Sequence, residues 1–301
     1  MLRFGLFGTG HWAAKTHATA LAAHPGAELA GVWGRDPAKA AALAQQYDVP
    51  AFDDVDALIG AVDAVAVALP PDVQATVAVR AAAAGRHLLL DKPLALSTSD
   101  ADRVVAAVGQ TGVASLVFFT NRFHPNIASF VAATAAAGGW QGARAIMFAS
   151  IFESGSPYAG SSWRRERGGL WDVGPHALSV LLPVLGRVTE VAAVSGPRGT
   201  VHLLLKHGTQ ATSTVSLTLD APSAAVGSEL VFYGENGIKS MPPREGGPAD
   251  ALGLAIDQLL AEVDSGTRDQ QCDVRFGRDV VAVLDAAETA RAQGRTVTLP
   301  G

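Results

Sequence analysis

Cysteine is almost absent from this sequence, and charge is nowhere concentrated. Cys272 is the only cysteine in 301 residues, so no intramolecular disulfide can form and a cysteine-based metal site is excluded. The formal net charge is −5, without any block of lysine or arginine. This balance argues against nucleic acid or an acidic membrane as a partner.

Long uninterrupted hydrophobic runs are also missing. The longest uncharged runs, such as residues 104–121, are broken by glycine and glutamine, and are typical of a helix end, a turn and a strand rather than a membrane span. The first strand begins at Leu2, without a basic lead or an apolar signal core. We therefore expect a cytoplasmic protein with no membrane partner.

The residues that are abundant favour two folded domains. Hydrophobic residues make up 49% of the chain, enough for a large core. Residues 1–121 alternate predicted strands with helices, which predicts an α/β domain with a doubly wound parallel sheet. Residues 122–301 contain strands joined by hairpin turns, which predict an α+β domain with an open, largely antiparallel sheet. Its closing helix, at about residues 278–293, could pack back on the first domain.

A dinucleotide fingerprint follows the first predicted strand. Its residues are Gly8, Thr9, Gly10, His11, Trp12 and Ala13. The first glycine permits a tight turn, the second lets the backbone approach a pyrophosphate, and the small third residue lets the next helix pack on the strand. That helix, predicted over residues 13–23, would direct its N–H groups at the phosphates. The alternative is an ordinary tight turn, which the strand–turn–helix context disfavours.

The residues after the second predicted strand indicate which nicotinamide cofactor is bound. Where an NAD enzyme carries an acidic residue for the ribose 2′-hydroxyl, this chain has Gly34, followed by Arg35. Loss of a carboxylate and gain of a guanidinium suit a 2′-phosphate. We favour NADP over NAD. The alternative is that Arg35 lies over the adenine or faces solvent.

A short buried strand ends in Asp91-Lys92-Pro93. Pro93 cannot donate to a sheet, so the chain must turn there. Lys92 then lies at the carboxyl end of a central strand, where open α/β sheets bind ligands. A cation at that place can face a cofactor or a substrate hydroxyl. The alternative is a lysine that reaches solvent.

A second informative stretch contains Asp172 and His176. Pro175 is tolerated early in a helix, so Asp172 is predicted to cap a helix that runs to about Leu185. Residues four apart share a helix face, and a histidine there can take and return a proton while the carboxylate fixes its tautomer or holds a hydroxyl. The alternative is a buried histidine beside a capping aspartate. One His and one Asp are too few ligands for zinc, and no metal site is predicted.

Three motifs follow one another along the chain: the fingerprint, Asp91-Lys92-Pro93, and the spaced set Gly168, Gly169, Asp172, Gly174 and His176. In this order they resemble the Gfo/Idh/MocA oxidoreductases. The resemblance covers nearly the whole chain. It implies an NAD(P)-dependent dehydrogenase or reductase for the CH–OH group of a sugar, polyol or related small molecule. It also implies a homodimer or homotetramer joined through the second sheet.

The resemblance assigns roles to single residues. The match to Lys92 contacts the nicotinamide side and the reacting oxygen, the match to His176 is the general acid/base, and the match to Asp172 assists it. The cofactor contacts expected beyond the fingerprint are Gly34, Arg35, Leu69, Pro70, Asp91, Lys92 and Asn121. The expected substrate contacts are Lys92, Arg122, Trp163, Arg164, Asp172 and His176.

Several positions depart from the family pattern. Asp91 replaces the usual Glu, and Asp72 and Gln74 replace an Asn and a His after Pro70. Ser179 stands where the family often has an Asp, three residues after the histidine. In a helix Ser179 would share the face of Asp172 and His176. Because serine is shorter and uncharged, we expect either weaker discrimination among neighbouring hydroxyls or a preference for a less hydroxylated substrate.

The alternative for Ser179 is local packing, with Arg164 or Glu153 supplying the missing contact. Two other functions also stay open. A non-catalytic dinucleotide-sensing regulator needs no acid/base set, and the presence of Lys92, Asp172 and His176 argues against it. The sequence does not distinguish an oxidoreductase for a non-sugar carbonyl from one for a sugar or polyol, because substrate choice lies in loops such as residues 153–162.

Overall fold

The computed structural model describes residues 1–300 and divides the chain into two compact units. The first contains residues 1–123 and 246–278, and the second contains residues 124–245 and the chain from residue 279 onward. The sequence places a domain boundary between residues 121 and 122, close to the first of these breaks, and that division stays a prediction. The membership of residues 246–278 in the first unit was not foreseen.

A parallel sheet forms the core of the first unit. Its six strands are β1 (Leu2–Phe7), β2 (Ala27–Trp33), β3 (Ala51–Phe52), β4 (Ala64–Val67), β5 (His87–Asp91) and β6 (Ser115–Phe118). They pair in the order β3-β2-β1-β4-β5-β6. Every residue of β4 and β6 is buried, as expected for a parallel sheet covered on both faces. The strand order reverses between β1 and β4, so the ligand crevice of a doubly wound sheet lies at their carboxyl ends. The predicted doubly wound sheet is confirmed.

Helices connect these strands, and polar residues cap several of them. A π-helical segment, Ala13–Ala18, continues into α1 (Thr19–Ala23), and the others are α2 (Pro37–Gln46), α3 (Val55–Gly60), α4 (Pro71–Ala83), α5 (Thr98–Thr111) and a 3₁₀ turn, Thr120–Phe123. Asp36, Asp54 and Ser97 each accept a backbone N–H from the first turn of α2, α3 and α5 respectively. These bonds satisfy amides that a helix start leaves unpaired.

The second unit contains a mixed sheet. Its seven strands are β7 (Trp140–Phe148), β8 (Val188–Ser195), β9 (Val201–His207), β10 (Thr212–Thr218), β11 (Gly227–Gly234), β12 (Gly237–Ser240) and β13 (Val297–Thr298). The order is β12-β11-β7-β10-β9-β8-β13, and only the β7–β10 pair is parallel. The prediction of a largely antiparallel sheet is confirmed.

Five further helices complete the two units. They are α6 (Pro125–Ala137), α7 (Ser162–Asp172), α8 (Gly174–Leu185), α9 (Pro248–Ser265) and α10 (Val274–Gln293). Helix α8 contacts strands β7 and β10 within the second unit. Helices α7 and α9 were not expected from the sequence. No helix formed by residues 1–300 combines the length and the apolar character needed to cross a membrane.

Candidate active site

The fingerprint forms the turn between β1 and the first helix. Gly8 has a φ of 135°, a conformation that side-chain-bearing residues rarely adopt, and a Cβ there would lie 2.5 Å from the carbonyl oxygen of Ala68. A Cβ at Gly10 would meet nothing within 4 Å. Packing inside the protein therefore explains Gly8, whereas Gly10 leaves open space beside the backbone. That open space fits the close approach of a dinucleotide pyrophosphate.

The predicted helix over residues 13–23 is present, but its first half is π-helical. Ala13 is 1% exposed, and its methyl group would lie 3.3 Å from a Cβ at Gly8. Its burial beside the turn explains the small residue at the third fingerprint position, because a larger side chain would push the helix away from the turn.

Gly34 and Arg35 follow β2 beside the fingerprint. A Cβ at Gly34 would lie 2.5 Å from Cγ2 of Thr9, so a side chain at position 34 collides with the fingerprint loop. Arg35 is exposed and makes no ion pair with any of residues 1–300. Asp36 caps α2 by accepting the N–H groups of Ala38 and Lys39. Gly34 therefore has a packing reason, and Arg35 is available to an anionic ligand.

The turn after β5 is clamped by Gln74. The Lys92–Pro93 peptide bond is cis. Gln74 is 1% exposed, its Oε1 accepts the N–H of Asp91 at 3.0 Å, and its Nε2 donates to the carbonyl oxygens of Asp91 at 2.7 Å and Pro93 at 3.0 Å. Lys92 is half-buried. The lysine thus lies at the carboxyl end of a central strand, as predicted, on a turn whose backbone is held in place.

The carboxylate of Asp91 is buried among N–H donors of its own unit. It accepts the indole N–H of Trp12, the Nε2–H of His17 at 3.1 Å, and the backbone N–H of Lys92 at 2.7 Å. Asp91 is only 6% exposed. The sequence treated Asp91 as a cofactor contact. Its observed partners are the first helix and the lysine beside it.

The other expected cofactor residues of this unit lie after β4 and β6. Leu69 and Pro70 are half-buried just after β4. Asn121 and Thr120 follow β6 and are 3% and 2% exposed, and their Oδ1 and Oγ1 atoms have no hydrogen-bond partner among residues 1–300. Buried polar atoms without a partner are uncommon. Their place at the carboxyl edge of the sheet fits a ligand that supplies donors.

Arg122 was expected to contact substrate. Its Nη2 donates to Oε1 of Gln271 at 2.7 Å, and its guanidinium lies 5.8 Å from the ring centroid of Phe276. Both partners precede or begin α10, far along the chain from Arg122. The structure therefore gives Arg122 a role in holding this segment of the first unit.

In the second unit, Asp172 is the last residue of α7, and the prediction that it caps α8 is wrong. The N-cap of α8 is Val173, which has helical dihedral angles and forms no side-chain cap. The chain breaks earlier, at Gly168 with a φ of 64°, because Gly169 must pass against β10, where a Cβ would lie 2.8 Å from the Cα of Thr218. The two helices then join almost continuously, which leaves the carboxylate of Asp172 available for another partner.

That partner is Arg164. Its Nε donates to Oδ2 of Asp172 at 3.0 Å, and the two side chains are 19% and 10% exposed. The guanidinium lies 4.5 Å from the ring centroids of both Tyr158 and Trp163, a distance suited to cation–π attraction. Trp163, Arg164 and Asp172, all expected substrate contacts, are thus brought together in one cluster.

His176 and Ser179 lie in α8. His176 is half-buried in its first turn. Ser179 has no exposed surface, and its hydroxyl donates to the carbonyl oxygen of His176 at 3.0 Å. Local packing, the alternative named for Ser179, is the arrangement that these observations favour.

Sequence reasoning missed His17 and the role of the Trp12 indole. His17 lies in a helix otherwise rich in alanine. A histidine on the apolar face of such a helix is the feature of the sequence that could have indicated a buried polar contact. Gln74 was noticed as an unusual residue, but its clamp on the backbone of residues 91–93 depends on contacts 17 to 19 residues away.

Comparison with known proteins gives a consistent family. Residues 2–119 match the model of an oxidoreductase family with an NAD-binding Rossmann fold, GFO_IDH_MocA. UDP-N-acetylglucosamine 3-dehydrogenase of Acidithiobacillus ferrooxidans is 35% identical over 126 residues, which are 42% of this chain and 39% of that protein. The match therefore spans about two fifths of that relative's length.

Two further proteins match over almost their full length. D-xylose 1-dehydrogenase (NADP(+)) 2 of Haloferax volcanii is 28% identical over 97% of this chain and 99% of its own. The structure of the WlbA dehydrogenase from Bordetella pertussis, in complex with NADH and UDP-GlcNAcA, aligns with a TM-score of 0.85 at 22% identity, covering 100% of this chain and 99% of that one. At 22% identity, the similarity to the WlbA dehydrogenase shows a shared fold. With the family match and the fingerprint geometry, these findings support a Gfo/Idh/MocA oxidoreductase, and residues 2–119 carry the match to its NAD-binding Rossmann fold.

Proposed function

We propose that this protein is an NAD(P)-dependent dehydrogenase or reductase for the CH–OH group of a sugar, a polyol or a related small molecule. The observation that carries the proposal is Lys92. It lies at the carboxyl end of β5, on a turn that Gln74 clamps, in the same unit as a dinucleotide fingerprint with open space beside Gly10. Bound nicotinamide supplies the hydride acceptor or donor.

The chain's own residues would manage charge and protons. In the oxidation direction the alcohol carbon loses a hydride and its oxygen loses a proton, and His176 takes that proton as general base. The resemblance assigns to Lys92 a hydrogen bond to the reacting oxygen, where its ammonium group would stabilise the negative charge that develops. In the reduction direction His176 returns the proton. Asp172 assists His176 in this proposal. Its carboxylate is held in one orientation by the hydrogen bond from Arg164 Nε to Oδ2 at 3.0 Å.

NADP is the preferred cofactor in this proposal. Gly34 offers no carboxylate to bind a ribose 2′-hydroxyl, and a Cβ there would have to displace the side chain of Thr9. Arg35 is exposed and can pair with a 2′-phosphate. One full-length relative carries NADP(+) in its name, whereas the WlbA structure contains NADH, so the preference rests on these local residues.

A substrate screen tests the activity. The purified protein would be incubated with NADP or NAD and a panel of free sugars, sugar nucleotides, inositols and non-sugar diols, and the reduced cofactor followed by absorbance. The names of the relatives put sugars and sugar nucleotides first on that panel. Turnover that His176→Ala abolishes supports the proposal. Tight dinucleotide binding without turnover on any class would instead favour a dinucleotide-sensing regulator.

The outer face of the second sheet is the proposed contact between copies of the chain. Val194, Leu204, Tyr233 and Ile238 are 63%, 54%, 39% and 75% exposed there, and the ion pairs Arg144–Glu229 and Lys206–Glu190 lie among them. Exposed apolar area of this kind is typical of an interaction surface. A homodimer or homotetramer would cover it.

Light scattering after size exclusion tests this assembly. Leu204→Glu should lower the measured mass of the particle toward that of one chain. Leu254→Glu is the matched control, because Leu254 is likewise an exposed leucine, at 39%, but lies in α9 of the first unit. A cytoplasmic location belongs to the same proposal, and recovery of activity in the membrane fraction of gently lysed cells would contradict it.

A further inference from the structure

Three N–H donors meet on the carboxylate of Asp91, the residue directly before Lys92. Oδ2 accepts the Nε1–H of Trp12 and the Nε2–H of His17 at 3.1 Å, and Oδ1 accepts the backbone N–H of Lys92 at 2.7 Å. His17 is completely buried, and Asp91 is 6% exposed. The carboxylate therefore ties two side chains at the start of the first helix to the amide from which Lys92 extends.

His17 lies in the π-helical segment Ala13–Ala18. π-Helical turns are rare, and they occur frequently at functional sites. The ring of His17 packs edge-on against Phe118 at the end of β6, with the centroids 6.3 Å apart and the planes at 87°. An irregular helix and a buried histidine–aspartate pair thus coincide where the first helix meets the carboxyl edge of the sheet.

The environment of the second ring nitrogen, Nδ1, indicates which tautomer His17 adopts. Nδ1 is buried and has no hydrogen-bond partner among residues 1–300. A proton on Nδ1 would be a buried donor without an acceptor, which is costly. The tautomer with its proton on Nε2 satisfies the Asp91 contact and avoids that cost. His17 is therefore a fixed donor to Asp91.

The other side of the same turn is held independently. Gln74 binds the backbone of Asp91 and Pro93, as described above, with no contact to the Asp91 carboxylate. Gln74 sets the path of the backbone, whereas Trp12 and His17 orient the carboxylate that holds the Lys92 amide. The two sets of contacts can be tested separately.

We propose that His17 and Trp12 are positioning residues for Lys92, acting through Asp91. The inference rests on the proposed function, in which Lys92 binds the reacting oxygen. Because the helix that carries His17 begins at the dinucleotide fingerprint, the cluster fixes the lysine relative to the site where the cofactor binds. A displacement of about 1 Å at a reacting group can cost about a hundredfold in rate.

Paired variants of His17 test the proposal. Leu fills a similar volume without a donor, and Gln places an N–H at about the same distance along the side chain. His17→Leu should lower kcat by about tenfold or more, with the KM for cofactor changed by less than about twofold, and His17→Gln should restore most of kcat.

His24→Leu is the matched control for these variants. His24 follows the same helix and pairs with Asp257 through Nε2 at 3.0 Å, but it does not touch the Lys92 turn. Its loss should leave kcat unchanged. Equal kcat values for His17→Leu and His17→Gln would overturn the proposal, as would a raised cofactor KM with kcat intact.

Hydrogen exchange gives a second readout that needs no substrate. Exchange in a peptide spanning residues 88–97 should be about tenfold faster in His17→Leu than in the wild type, because the Asp91 carboxylate that accepts the Lys92 amide loses one of the donors that orient it. The exchange should be unchanged in His17→Gln and His24→Leu. If the wild type turns over nothing on the screen, the proposed function fails, and exchange still decides whether the tether exists.

Trp12→Phe covers the case in which His17→Leu does not fold. Trp12 is half-buried, and Phe keeps an aromatic ring while removing the indole N–H. Faster exchange in residues 88–97 and a lower kcat in Trp12→Phe would support the proposed positioning of Lys92 through Asp91. Wild-type exchange and wild-type kcat in this variant would overturn it.

Discussion

The side chain of Thr9 occupies the space that any side chain at position 34 would need, because a Cβ on Gly34 would lie 2.5 Å from Thr9 Cγ2. The two residues come from different turns, after β1 and β2. Their contact means that the absence of an acidic residue at position 34 is built into the packing of the fingerprint loop. An aspartate introduced there would have to displace the side chain of Thr9.

The first prediction concerns the choice of cofactor. Arg35→Ala should weaken NADPH binding by about 1.5–3 kcal/mol, the range for a hydrogen bond to a charged group, and leave NADH binding unchanged. Lys39→Ala is the control, since Lys39 is an exposed cation in α2 that pairs with Asp36. Gly34→Asp alone should weaken both cofactors, whereas Thr9→Ala with Gly34→Asp should favour NADH. Calorimetric titration measures all four variants, and equal affinity of the wild type for both cofactors would contradict the assignment.

The second prediction concerns the two residues proposed to be catalytic, His176 and Lys92. His176→Ala should lower kcat by about 10²–10⁴, the usual contribution of a general acid/base, with cofactor affinity unchanged. Lys92→Ala should abolish turnover in a protein that still folds. His202→Ala, on the exposed face of β9, is the control and should retain full activity. If His176→Ala kept most of its turnover, Tyr158 or water would become the proton acceptor.

The third prediction concerns Ser179. If the side chain is buried in local packing, an aspartate there should destabilise the protein; if it faces substrate, an aspartate should change substrate specificity. Ser179 has no exposed surface, so Ser179→Asp should lower the free energy of unfolding by more than about 2 kcal/mol, because a carboxylate is costly to bury. Ser179→Ala should cost about 1 kcal/mol through loss of the bond to His176. Thermal denaturation and kinetics on a polyol panel are the measurements. An unchanged melting temperature together with a raised kcat/KM for inositols would show instead that the position faces substrate.

The fourth prediction concerns stability against pH. Burial lowers the pKa of His207 below its ordinary value of 6.5, and the ring bonds Gly186 O at 2.8 Å and Ser213 Oγ at 2.9 Å. Because the unfolded state binds the proton first, stability is fully present above pH 6.5 and is lost as the pH falls through the lower folded pKa. Burial likewise lowers the pKa of His87 in the first unit, with the same sign.

His207→Asn separates this contribution. Asparagine can still donate to Gly186 but does not titrate, so the decline in melting temperature toward acidic pH should become shallower. The exposed His202 changed to Asn should leave the slope as it is. A slope unaffected by His207→Asn would remove the residue from the pH response.

Local patterns in the sequence determined much of the first unit. Buried apolar runs and intervening helices predicted the six parallel strands, since strand and helix periodicities are properties of a few consecutive residues. The same is true of Gly8, whose positive φ a tight turn demands, and of Lys92, which Pro93 forces to the end of β5. Asp36 as a helix cap needed only its two following residues.

Tertiary structure alone decided the rest, because those features join residues far apart in the chain. The helical pattern breaks at Gly168, because Gly169 passes against the β10 backbone, so α7 was invisible to periodicity and Asp172 was wrongly expected to cap α8. The contact between His17 and Asp91 spans 74 residues, and that between Thr9 and Gly34 joins two turns. Side-chain contacts across such separations follow from how the strands pair, and no short segment of the sequence encodes them.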